Sequence, residues 1–79
     1  FQRRLIEKSL ASLDQDPVEI RDMSLITFAL PPRRVAEAKE AIRAFRLEFS
    51  ERFETFEAAA EVYNLTVQLT PISKRKSNP

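Results

Sequence analysis

The stretch that most constrains this chain runs from Arg33 to Glu57, twenty-five residues without a proline or glycine, entered through Pro31-Pro32. Apolar side chains recur at Val35, Ala38, Ile42, Phe45, Phe49, Phe53 and Phe56. Steps of three and four keep them on one helix face. A helix over 33–58 would be roughly 40 Å long at ~1.5 Å per residue. That exceeds the usual span of so small a domain, so part of the stripe is expected to need a surface from elsewhere.

A coiled-coil strand is the first alternative. Val35, Ile42, Phe49 and Phe56 keep a strict seven-residue spacing, but the companion set Ala38, Phe45, Arg52 fails at Arg52, and Phe53 takes the apolar role one residue later. A coiled coil needs its seam sustained over several heptads. The shift to Phe53 and the four phenylalanines favour packing on a sheet instead, while the small first half of the stripe permits close approach and the aromatic second half suits a wider gap or an intersubunit surface.

The flanking segments are read accordingly. Residues 1–14 form a first helix, with Ile6, Leu10 and Leu13 as its stripe and Phe1 and Leu5 beside it, ended by Asp16-Pro17. Residues 22–30, apolar and partly β-branched up to Pro31, read as a strand. Residues 62–70 read as a second, with Tyr63, Leu65, Val67 and Leu69 alternating against Asn64, Thr66, Gln68 and Thr70. Residues 73–79 form a basic polar tail expected to be disordered. The expected fold is therefore α+β in the order helix, strand, helix, strand, with the long helix as a crossover. Two strands do not make a stable sheet alone. A homodimer is the expected means of completing it, and would also cover the surplus aromatic stripe.

Seventy-nine residues allow one domain with a modest core. The chain has no Cys, His or Gly. Disulfides, ordinary zinc sites, the commonest general base and nucleophile, and phosphate-cradling glycine loops are thereby excluded. The chain is read as non-catalytic, with no cofactor and no metal. Thirteen basic against 12 acidic residues carry no strong nucleic-acid or membrane signal. No apolar run approaches a membrane span, and a cytoplasmic location is expected. Opening at Phe1, the chain is expected to be a piece of a longer protein.

The surface pairs expected on the long helix are Glu40 with Arg43 and Glu48 with Arg52. Arg33 and Arg34 occupy its first turn, against the preference of the helix dipole, with no Ser or Asp cap. Three functional surfaces are candidates. Phe45, Phe49, Phe53 and Phe56 form a core or subunit interface. Asn64, Thr66, Gln68 and Thr70 form a possible small-ligand face. Arg3, Arg4, Arg33, Arg34 and the Lys74-Arg75-Lys76 tail could contact a DNA backbone, the least favoured of the three.

Leu10 to Leu13, Pro17, Arg21-Asp22, Ser24-Leu25 and Thr27, then Ile42-Arg43-Ala44-Phe45-Arg46, Val62-Tyr63-Asn64-Leu65 and Gln68-Leu69-Thr70-Pro71-Ile72, resemble the C-terminal end of a large paralogous family of uncharacterised bacterial proteins. Members of that family resemble transcriptional regulators with an N-terminal helix-turn-helix-like part followed by a domain of unknown function. Pro31-Pro32 and Ala58-Ala59-Ala60 depart from its pattern. The resemblance implies the C-terminal part of a transcription regulator whose upstream DNA-binding part these 79 residues do not include; the dimer is expected from the strands and the aromatic stripe, not from the resemblance. The resemblance implies no functional residues.

Overall fold

A computed structural model describes residues 1–73. Two α-helices organise them: α1 over Gln2–Gln15 and α2 over Val35–Phe53. Short 3₁₀ turns occupy Val18–Ile20 and Pro32–Arg34.

The α+β expectation is overturned, because no strand forms among the described residues. Neither 22–30 nor 62–70 makes a backbone–backbone hydrogen bond to another part of the chain. Alternation of apolar and polar residues favours an extended backbone, but a strand exists only where a neighbour supplies the ladder. These two segments do not pair with each other, so the expected crossover role of α2 falls with them. The basic tail expected over 73–79 lies, beyond Ser73, outside the described residues.

Helix α1 ends where local chemistry offers its last turn alternatives. The Asp16 backbone turns extended (φ −111°, ψ 140°) while its N–H still donates to the Ser12 carbonyl at 3.0 Å. Pro17 prevents continuation. The Ser12 hydroxyl donates to Asp16 Oδ2 at 2.6 Å, and Arg21 Nε donates to the Asp16 carbonyl at 2.9 Å. The arginine thus supplies a donor to a carbonyl just beyond the helix end.

Helix α2 is shorter than the expected 33–58. Pro31 and Pro32 lead into the 3₁₀ turn, closed by the Arg34 N–H on the Pro31 carbonyl at 2.8 Å. At the far end Glu54 turns extended (φ −62°, ψ 138°). Thr55 Oγ1 there accepts a bond from the Glu57 N–H at 3.3 Å. Such a side-chain bond offers the backbone a local alternative to the helix, and Phe and Thr are weak helix formers. Ala58 and Ala59 sit in a separate turn, with the Ala60 N–H bonded to the Glu57 carbonyl at 3.1 Å.

Residues 28–31 lie along the N-terminal half of α2, bounding a shallow groove of about 280 Å³ with Arg34, Glu37, Ala38 and Ala41. Alanines on that half permit the close approach. Leu30, Pro31, Ala38 and Ile42 are half-buried as a result. No described residue is fully buried. The accessible surface is 8322 Å². A compact fold of this mass would expose about 4,900 Å² and an unfolded chain about 13,000 Å². The radius of gyration, 16.1 Å, likewise exceeds the ~12 Å of a compact chain of this length.

Candidate interaction surface

The C-terminal half of α2 carries the aromatic side chains. Phe45, Phe49 and Phe53 follow one another at four-residue steps, with ring centroids 5.7 Å apart for Phe45–Phe49 and 4.9 Å for Phe49–Phe53. Interplanar angles of 50° and 47° make both contacts tilted, within the favourable range for aromatic pairs. These rings remain 50, 38 and 59% exposed, so much of the ladder's surface faces solvent. Phe56 lies beyond the helix end and is 94% exposed. The structure therefore aligns three of the four expected phenylalanines and separates the fourth.

Arg52, where the heptad pattern breaks, places its guanidinium carbon 5.3 Å from the Phe53 ring centroid. This is cation–π geometry, and it replaces the expected Glu48–Arg52 pair, which is not among the ion pairs of the described residues. Arg43 reaches Glu40 at 3.1 Å.

Arg34 grips Glu37 with two donors, Nε to Oε1 at 2.9 Å and Nη2 to Oε2 at 3.0 Å. The hydrogen bonds from Arg34 hold the Glu37 carboxyl below its ordinary value, and the carboxylate raises the guanidinium in turn. Both groups are exposed, so the pair is a modest contribution. It resolves the arginine's placement at the positive end of the helix dipole, since its fork is engaged by a carboxylate one turn on. The i, i+3 spacing of Arg34 and Glu37 was a readable signal for this pair.

The candidate ligand residues Asn64, Thr66, Gln68 and Thr70 are not assembled into a strand face. Thr66 is half-buried and the other three are exposed. Arg3, Arg4 and Arg33 are exposed and, among the described residues, make no ion pair; the Lys74-Arg75-Lys76 tail lies outside them. One tether escaped the sequence reading: the Tyr63 hydroxyl bonds to the Ile20 carbonyl at 2.8 Å. Nothing in the pattern around either residue signals a contact over that separation. Among the described residues no group of three or more His, Cys, Asp or Glu side chains could hold a metal ion, and no helix is long and apolar enough to cross a membrane.

A family model described as Domain of unknown function (DUF4423) matches residues 1–72. No curated protein and no solved structure matches the chain.

Proposed function

We propose that this chain, which belongs to the DUF4423 family, is a non-catalytic association domain of a bacterial transcription regulator, working as a homodimer. One observation carries the association: the aromatic ladder Phe45–Phe49–Phe53 stands half exposed on a chain with no fully buried described residue. An apolar face of that kind is a site for partner contact, since helices in proteins draw most of their stability from packing an amphipathic face. The regulatory setting rests on the sequence resemblance, which extends from Leu10 to Ile72. The non-catalytic reading rests on a composition without Cys, His or Gly.

Sedimentation equilibrium of the 79-residue chain tests the association. A dimer across the micromolar range is the expected outcome. A clean monomer at high micromolar concentration overturns it.

A further inference from the structure

We infer that α1 of one chain packs antiparallel on α2 of a second copy, reciprocally, with Ile6, Leu10 and Leu13 opposite Phe49, Phe45 and Ile42. The inference rests on the homodimer reading and specifies its contact. The apolar residues of α1 are spaced four then three along the helix. Read backwards along α2, Phe49, Phe45 and Ile42 are also spaced four then three. Antiparallel packing therefore brings all three pairs into register at once. Ile6, Leu10, Leu13, Phe45 and Phe49 are exposed, and Ile42 is half-buried.

Charge selects the orientation. Viewed from each N-terminus, Glu7 and Asp14 lie on the same side of the α1 stripe as Lys39, Arg43 and Arg46 lie on the α2 stripe. Antiparallel helices bring like-sided flanks together, and flanking charges set partner and orientation. Asp14 then falls between Lys39 and Arg43, and Glu7 beside Arg46. Parallel packing, with Ile6, Leu10 and Leu13 opposite Ala38, Ile42 and Phe45, would instead set Glu7 near Glu37 and Asp14 near Glu48, acid against acid.

The partner is a second chain because the two helices of one chain stand apart: no Cα of α1 comes within 8 Å of one in α2. The surface left over relative to a compact fold, about 3,400 Å², far exceeds the ~800 Å² per partner of a standard interface.

The absence of native cysteine makes disulfide trapping a clean test. Under mild oxidation, the Leu10→Cys/Phe45→Cys double variant is expected to give a covalent dimer. A disulfide within single chains overturns the inference. So does a reduced variant that sediments as a dimer yet forms no disulfide, an outcome that leaves the homodimer reading intact. A wild-type chain that sediments as a monomer removes both. The second test leaves the apolar seam untouched. Glu7→Lys with Asp14→Lys is expected to raise the dimer Kd about tenfold, and adding Lys39→Glu with Arg46→Glu to bring it back. An unchanged Kd in the first variant, or no recovery in the second, overturns the pairing even if the cysteine variant fails to associate.

Discussion

The Tyr63 hydroxyl donates a 2.8 Å hydrogen bond to the carbonyl oxygen of Ile20, tying the C-terminal segment to the 3₁₀ turn that follows α1. The two residues stand 43 positions apart, and no ladder or buried core accompanies the contact. A single solvent-accessible hydrogen bond contributes about 0.5–1 kcal/mol. Tyr63→Phe is therefore expected to release the segment without unfolding either helix. Loss of NOEs between residues 63 and 20, with unchanged far-UV circular dichroism, is the expected record. A drop in helix content would contradict the assignment.

Phe49 sits between Phe45 and Phe53 and touches both rings. Phe49→Ala removes two contacts worth about 0.2–0.5 kcal/mol each within an isolated helix. Its effect on α2 helicity is expected to be small, while the weight-average mass by light scattering falls to the monomer's. Phe56→Ala, outside the helix, should leave helix content unchanged. Equal loss of helix in the two variants would show that the ladder is not what distinguishes them.

Glu37 titrates below its ordinary range because Arg34 donates to both of its oxygens. A depressed folded-state pKa contributes stability that is fully present above the unfolded value, near 4.3, and is lost as pH falls through the folded value. The first turn of α2 is expected to fray over that acid window, read from the ¹³Cα shifts of residues 35–38. Glu37→Gln should abolish this pH dependence. A first turn that responds to acid identically in the variant would assign the effect elsewhere.

Thr55 accepts the Glu57 N–H just past the end of α2. Thr55→Ala removes that acceptor and improves helix propensity by up to about 0.7 kcal/mol. Helical ¹³Cα shifts should then extend into residues 54–57. Shifts that stay extended there would place the stop in Glu54 or Phe56 instead.

How far the sequence could be read follows from what each element requires. A helix closes its own hydrogen bonds, so the spacing of Val35, Ala38, Ile42, Phe45 and Phe49 was sufficient to locate α2, and Pro17 and Pro31 marked the breaks around it. The end at Phe53 was harder to see, because the apolar period continues to Phe56 while the backbone responds to Glu54 and Thr55. The phenylalanine stripe was legible as a pattern; that Phe56 stands apart from the other three was not.

The two segments read as strands show the other limit. Alternation over 62–70 specifies which side chains would share a face, yet a strand's N–H and C=O groups must find their partners in another strand. The sequence by itself determined two amphipathic helices, their punctuation and a composition without Cys, His or Gly. Only the tertiary structure decided that the segments read as strands remain unpaired and that Tyr63 reaches Ile20. The physical reason is that periodicity encodes a local conformation, whereas pairing depends on where distant parts of the chain come to lie.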